Sequence, residues 1–227
     1  MRAYSAIAGV LFCTFVVTSA YATVTGVTSC TGANACTITT TPPTNVSKNP
    51  NDGILLLWDE VQNFVLTSPL RVDEVFDANA TFVSPIGGSD FNLAAGTLVS
   101  SHMIQWDPGQ GSDRRVNATV EFDSQILALI TNKKNLNNSD TDLGAAGTTY
   151  DQFNLRGLER ADSISFSGST LDLSWRASSP GDWTRVITAF SPASNFSATS
   201  AVPVPASGLA MLALAPMAAW VARRHRR

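Results

Sequence analysis

The stretch Arg115-Val116-Asn117-Ala118-Thr119-Val120-Glu121-Phe122 alternates apolar and polar side chains along its length. Successive side chains of a β-strand point to opposite faces, so Val116, Ala118, Val120 and Phe122 share one face and the polar residues share the other. This two-residue period is typical of a half-buried strand. The stretch therefore predicts a sheet with one face against an apolar core.

Apolar runs on both sides of this strand predict a mainly β chain. Ser167-Gly168-Ser169, between two of the runs, is typical of a hairpin turn. Two segments are helix candidates, 125–134 and 152–160, and the first is better explained as a strand because it continues from Phe122. The predicted strands lie in residues 54–66, 70–76, 81–83, 98–106, 115–122, 126–130, 163–166, 170–175 and 183–190. Short strands separated by turns predict an all-β fold, an antiparallel β-sandwich of jelly-roll type.

The end of the chain combines a proline motif, an apolar run and a basic cluster. Val202-Pro203-Val204-Pro205-Ala206 is expected to be extended, because each proline lacks an amide hydrogen and restricts the residue before it. Residues 208–222 carry no charge, and a helix over them spans about 22 Å, which flanking residues extend toward the roughly 30 Å of a bilayer core. The basic residues that follow are Arg223, Arg224, His225, Arg226 and Arg227. This order predicts a single C-terminal transmembrane helix with its arginines on the cytoplasmic side.

This tail resembles the PEP-CTERM sorting signal of Gram-negative bacteria, in its Val-Pro-x-Pro-Ala variant. Val204 stands where the commonest form of the signal has a glutamate. The resemblance implies export, transient anchoring in the inner membrane and cleavage by an exosortase-like enzyme. Residues 120–127, 139–150 and 180–187 also resemble the ectodomains of uncharacterised PEP-CTERM proteins, which implies a shared fold and no established activity.

The start of the chain has the pattern of a secretory signal peptide. Arg2 supplies a positive charge, residues 6–17 are apolar, and Ala20 and Ala22 are small residues at the cleavage positions. The mature chain would then begin at Thr23. The alternative is a lipoprotein signal acylated at Cys30, but that residue lies far beyond the apolar run.

Cysteine usage fits an oxidising compartment. Cys13 leaves with the signal peptide, and Cys30 and Cys36 remain as a pair for which we expect a local disulfide. A zinc site at the same pair is the alternative, and it lacks a neighbouring histidine or a second cysteine pair.

The negative net charge of the exported part excludes some classes of binding partner. The exported part holds all eighteen acidic residues and ten basic ones, a net charge of −8, while the whole chain carries −3. Nucleic acids and anionic membrane surfaces need a basic patch, so we expect neither as a partner of this part. Cations and neutral polymers such as extracellular polysaccharide are compatible with it.

The predicted order of segments follows from these features. It is a signal peptide over residues 1–22, a disulfide-bearing segment with a Thr/Pro/Asn-rich linker over 23–53, the sandwich over 54–191, a linker over 192–201, and the sorting signal over 202–227.

Catalytic motifs are weak in this sequence. His102 is the one histidine of the exported part, and no Gly-x-Ser-x-Gly motif accompanies it. Glycoside hydrolysis needs two carboxylates close together, and the adjacent pairs Asp59-Glu60 and Asp73-Glu74 are expected to be solvated strand edges instead. We expect no enzymatic activity and no required cofactor.

Two weaker binding signals remain. Asn138, Asp140 and Asp142 place oxygen side chains at alternating positions of a predicted loop, which makes them a calcium candidate, against an ordinary Asx-rich turn. Trp58, Trp106, Trp175 and Trp183 are candidates for sugar stacking, of which most are expected in the core and Trp183 is expected to be exposed.

The function expected from the sequence is a non-enzymatic binding or structural role at the bacterial surface or in the extracellular matrix. The alternative is a carbohydrate-binding module or a carbohydrate-active enzyme on the same fold.

Overall fold

The computed structural model describes residues 24–88, 90–111 and 113–190. Within these ranges it has sixteen strands and one helix, so the fold is mainly β, as predicted. All described residues belong to one compact unit. Two sets of predicted residues lie outside the described ranges: the signal-peptide positions Ala20 and Ala22, and the tail from Val202 to Ala206 and from Arg223 to Arg227.

The elements follow one another with short connections. In chain order they are β1 Val24–Thr31, β2 Ala35–Thr39, β3 Asn45–Val46, β4 Ile54–Asp59, β5 Phe64–Val65, β6 Leu70–Val72, β7 Glu74–Val75, β8 Val83–Gly87, β9 Asp90–Leu93, β10 Leu98–Trp106, β11 Arg114–Phe122, β12 Ile126–Ile130, α1 Lys133–Leu143, β13 Thr149–Tyr150, β14 Ser163–Ser167, β15 Thr170–Ala177 and β16 Asp182–Thr188.

Two sheets form the main body. The outer sheet has the order β1-β11-β15-β14 and is antiparallel throughout. The central sheet has the order β2-β4-β10-β16-β12-β7, and β5 pairs with the start of β10. The predicted alternation of β11 is confirmed, since Val116, Ala118, Val120 and Phe122 are buried. They share one apolar cluster with residues of the central sheet, so the two sheets face each other.

The central sheet is buried on its second face as well. A three-stranded sheet, β6-β9-β8, and helix α1 cover this face, which forms a second apolar cluster around Trp58, Met103, Trp183 and Ile187. Every residue of β16 is buried. A plain two-layer sandwich does not describe this region, because the central sheet has a third layer on it.

Two of the strand pairs are parallel, which differs from the predicted all-antiparallel arrangement. β2 runs parallel to β4, and β13 runs parallel to β3. Both involve the segment that we predicted to be a linker. β1 and β2 also pair with the two main sheets, so the structured region begins at Val24 and not at Ile54. We did not predict β1 and β2, the two edge strands of this segment, because its Thr- and Asn-rich composition is typical of a loop.

The helix was not predicted where it occurs. Residues 126–130 form a strand as favoured, residues 152–160 contain no helix, and α1 begins at Lys133. Asn132 is its N-cap and accepts a hydrogen bond from the Asn135 amide. α1 has eleven residues, and no helix in the described ranges has the length and hydropathy of a membrane span.

A carboxylate from a distant strand connection fixes the start of α1. Asp73, between β6 and β7, accepts hydrogen bonds from the backbone N–H of Thr131 at 2.5 Å and of Asn132 at 2.8 Å. It also accepts from the side-chain amides of Asn132 and Asn135. Its charge lies at the positive end of the helix dipole, which strengthens these contacts.

We expect Asp73→Ala to lower the free energy of unfolding by about 2 to 3 kcal/mol, because it leaves several buried donors without an acceptor. Urea denaturation measures this change. Asp77→Ala, the same substitution in an exposed turn, is the control and should cost less than about 1 kcal/mol. Equal losses in the two variants would show that Asp73 does not fix the helix.

Candidate functional site

The second face of the central sheet holds a buried guanidinium, Arg185 of β16. Its Nε donates to Glu60 Oε2 at 2.5 Å, and its Nη2 donates to Glu60 Oε1 at 2.8 Å and to Asp140 Oδ1 at 3.2 Å. Its Nη1 donates to Ser139 Oγ at 2.5 Å and to the carbonyl of Leu136 at 3.4 Å. All five N–H groups of the guanidinium therefore have acceptors. Burial alone lowers the pKa of Arg185, and the carboxylates of Glu60 and Asp140 outweigh it and raise that pKa above its ordinary value.

A second arginine completes this network. Arg156 donates from Nη1 to Asp140 Oδ2 at 2.6 Å and from Nη2 to Asp140 Oδ1 at 2.8 Å. Its guanidinium lies 4.9 Å from the ring centroid of Trp183 and 5.6 Å from that of Tyr150, which is the geometry of a cation–π contact. The residue after Arg156 is Gly157, which has a positive φ. A side chain at this position would clash with the Thr131 carbonyl, so the backbone beside Arg156 requires a glycine.

Tyr150 links the network to the loop after α1. Its hydroxyl donates to Glu60 Oε1 at 2.5 Å and accepts from the Ala145 amide at 2.9 Å. Burial, followed by the neighbouring charge of Glu60, raises the pKa of Tyr150, so the phenol stays protonated in the physiological range. Two guanidinium groups thus balance two carboxylates. We call Glu60, Asp140, Tyr150, Arg156 and Arg185 the Arg185 network. Its buried, charge-balanced ion pairs have the geometry of a structural clamp.

The calcium candidate is not arranged as predicted. Asn138, Asp140 and Asp142 lie on α1 and not on a loop. Asn138 and Asp142 are exposed, whereas the Asp140 carboxylate is engaged by Arg156 and Arg185. Residues in a helix turn by about 100° each, so the three side chains do not converge as the loop geometry required.

The expectation of solvated carboxylate pairs is also wrong for two residues. The Glu60 side chain has no solvent exposure, and Asp73 is 7% exposed. Their partners, Arg185 and the start of α1, lie 125 and about 60 residues away along the chain. The residues next to Glu60 and Asp73 in the sequence give no indication of partners so far away.

His102 lies in a polar chain between the two main sheets. Its Nδ1 is 2.7 Å from Asp59 Oδ1, and its Nε2 is 2.9 Å from Thr188 Oγ1. This order of groups is that of a hydrolase relay, with a threonine in the place of the nucleophile. Both His102 and Thr188 have zero exposure, and the His102 ring packs on Phe122 at 5.0 Å. In this arrangement the three side chains cross-link β4, β10 and β16, and a substrate carbonyl has no access to Thr188.

The four tryptophans of the described region are all fully buried, so they form no sugar-stacking surface. Most were expected in the core, and the expected exposure of Trp183 is wrong. Its ring packs edge-on against Phe153 at 5.5 Å. The strand was predicted to begin at Trp183, whereas β16 begins at Asp182 and all of its residues are buried.

The disulfide prediction is confirmed. Cys30 and Cys36 are bonded, with their Cα atoms 6.3 Å apart. The bond joins β1 of the outer sheet to β2 of the central sheet. Both sulfurs are consumed by it, which leaves neither as a zinc ligand or an acylation site.

A pocket of about 130 Å³ lies where the connection from β15 to β16 meets the loop before β14. Its lining includes Asp113, Glu159, Arg176, Ser179 and Asp182. Sequence reasoning missed this site, because its residues come from three separate segments. We call it the Asp182 pocket.

Asp182 differs from the other carboxyl groups around this pocket. It is 2% exposed, and its Oδ2 has no hydrogen-bond partner in the described part of the chain. Burial, followed by the charges of Asp162, Glu159 and Asp107, raises the pKa of Asp182 to about 8. The group is therefore mostly protonated at neutral pH. A side chain at Gly181 would clash with the Trp106 carbonyl, so this glycine permits the close packing that buries Asp182.

The chain matches no protein-family model, and no curated protein and no solved structure matches it at a significant level.

We expect Glu60→Ala to lower the free energy of unfolding by about 3 to 5 kcal/mol, because it leaves the buried Arg185 charge largely uncompensated. Chemical denaturation measures it. Glu121→Ala, on the outer face of β11, is the control and should cost under about 1 kcal/mol. If the two substitutions cost the same, the Arg185 network is not a clamp.

We expect Asp182→Asn to flatten the pH dependence of stability. The folded pKa is about 8 and the ordinary value is 3.8, so between these pH values the folded protein keeps a proton that the unfolded chain has lost. Stability from this group is complete below about pH 4 and is lost as pH rises through about 8, by up to about 1.4 kcal/mol per pH unit. Urea unfolding at about pH 5 and pH 8 compares the wild type with the variant. Asp172→Asn, at an exposed position, should leave the slope unchanged, and an unchanged slope in Asp182→Asn would show that Asp182 ionises normally.

Proposed function

We propose that this protein is an exported bacterial surface or extracellular-matrix protein with a non-enzymatic binding or structural role. In this proposal the export machinery removes residues 1–22, the tail anchors the chain transiently in the inner membrane, and an exosortase-like enzyme cuts near Pro205. The described region is the ectodomain, a β-sandwich of jelly-roll type with an added layer on one face.

The observation that carries the proposal is the bond between Cys30 and Cys36. Stable disulfides are typical of proteins outside the cytoplasm, so the bond supports passage through an oxidising compartment. The leader and tail patterns at the two ends of the sequence support the same route.

The packing of reactive groups supports a role without catalysis. His102, Tyr150 and Glu60 are chemically versatile side chains of the described region, and each is hydrogen-bonded to other side chains of the fold. Such groups stabilise the packing of distant segments.

One observation favours the alternative, a carbohydrate-binding module or a carbohydrate-active enzyme. Glu159 and Asp182 line the same pocket, and the pKa of Asp182 is raised to about 8. Glycoside hydrolases use two carboxyl groups at the scissile bond, one of them held protonated by its surroundings, and Asp182 meets that second requirement. Hydrolysis of a polysaccharide by the wild type, lost in Asp182→Asn, would favour the enzyme over the binding role.

We expect the protein recovered from the surface or medium of its native host to have the intact mass of residues Thr23 to about Ala206, less two hydrogens for the disulfide. Mass spectrometry reads both ends and the cysteine state in one measurement. A double variant, Pro203→Ala with Pro205→Ala, should keep the tail, because the extended motif for the protease is removed. A wild-type mass that includes the arginine cluster would contradict processing.

A further inference from the structure

The Asp182 pocket is a small, built cavity on three segments of the fold. The β15–β16 connection contributes Ser178, Ser179 and Pro180, the residue before β11 contributes Asp113, and the loop before β14 contributes Glu159. A volume of about 130 Å³ admits one small functional group with its immediate substituents.

Asp182 provides an acceptor that the fold does not use. The neighbouring carboxylates are engaged: Asp107 accepts from the amides of Gly109 and Asn51, and Asp162 accepts from the amides of Glu159 and Arg176. Asp182 Oδ2, in contrast, is buried and receives no hydrogen bond from any described residue. A buried polar atom in this state is unfavourable unless a partner supplies the hydrogen bond.

The acidic side chains around the pocket determine which kind of ligand it can bind. Asp107, Asp113, Glu159 and Asp162 are acidic, and the one neighbouring cation among the lining residues, Arg176, is paired with Asp113 at 3.2 Å. An anion is therefore repelled, and a cation gains from both the field and the open acceptor. Nowhere in the described ranges do three carboxylate, histidine or cysteine side chains converge as metal ligands. An ammonium group, which donates three hydrogen bonds and needs no such convergence, fits better.

We propose that the Asp182 pocket binds the primary ammonium group of a small amine, with Asp182 as its buried carboxylate partner and Glu159 as a second acidic wall. This goes beyond the proposed function and does not depend on export or processing.

Binding is coupled to proton release. An ammonium ion favours the ionised form of Asp182, so each bound amine displaces a proton below about pH 8. Asp107, Asp113, Glu159, Asp162 and Arg176 are the charged groups that face or adjoin Asp182. An aliphatic amine with a pKa near 10 stays charged in this range, and its affinity should rise about tenfold per pH unit from 6 to 8 and then level off.

The test is calorimetric titration of the full-length protein with ethylammonium chloride, glucosamine, glucose and sodium chloride. We expect both amines to bind the wild type, glucose and sodium to bind at least about tenfold more weakly, and proton uptake by the buffer to accompany amine binding. Binding of glucosamine without ethylamine would narrow the ligand to amino sugars. Glucose binding as tight as glucosamine binding would overturn the proposal.

Asp182→Asn keeps the shape of the side chain and removes its charge. We expect the variant to bind ethylamine at least about tenfold more weakly and to release no proton, while Asp172→Asn binds as the wild type does. Thermal melting confirms that both variants are folded. Unchanged amine affinity in folded Asp182→Asn would refute the assignment.

Discussion

The buried charge of Arg185 is the constraint on which the covering layer of the central sheet depends. The guanidinium lies on a strand with neighbours on both sides, and its five N–H groups need acceptors that the sheet itself does not supply. Glu60 comes from the connection that follows β4, whereas Asp140, Ser139 and the Leu136 carbonyl come from α1. The helix must therefore lie across this face of the sheet. Tyr150 and Arg156 then follow, because they bond to the same two carboxylates.

Local patterns in the sequence were sufficient for strands with one buried face. β11 and the β14–β15 hairpin have alternating side chains or a glycine turn, and both occur as predicted. β10 and β16 were recognised as strands, but their two-sided burial was not. A strand buried on both faces is expected to be apolar throughout, and polar residues such as His102 and Arg185 interrupt that pattern. Each of them is hydrogen-bonded to a side chain far away in the sequence. α1 was not predicted because its sequence is mostly polar. Its stability comes from the hydrogen bonds of Asp73 and from the packing of Leu136 and Leu143 in the second apolar cluster.

The candidate sites also fall into those that a local sequence pattern indicates and those that only the folded structure forms. The residues of the proposed leader, the proposed tail signal and the Cys30–Cys36 pair are contiguous or nearly so, so a local sequence pattern is enough to propose each of them. The Asp182 pocket depends on burial, which no local pattern reports. Asp182 lay just outside the predicted strand 183–190, and its raised pKa comes from burial and then from the charges of Asp162, Glu159 and Asp107, which reach it only in the folded chain.

The position of β16 gives the fold a mechanical property. It is the last described strand of the chain, and it lies in the interior of the central sheet, hydrogen-bonded to β10 on one side and β12 on the other. A pulling force applied to the chain beyond Thr188 enters the domain through this strand. To extract β16, such a force must break two antiparallel ladders and remove Arg185 from its acceptors. A domain held by its C-terminal side is therefore loaded through a strand with hydrogen-bonded neighbours on both sides, and such a strand resists extraction.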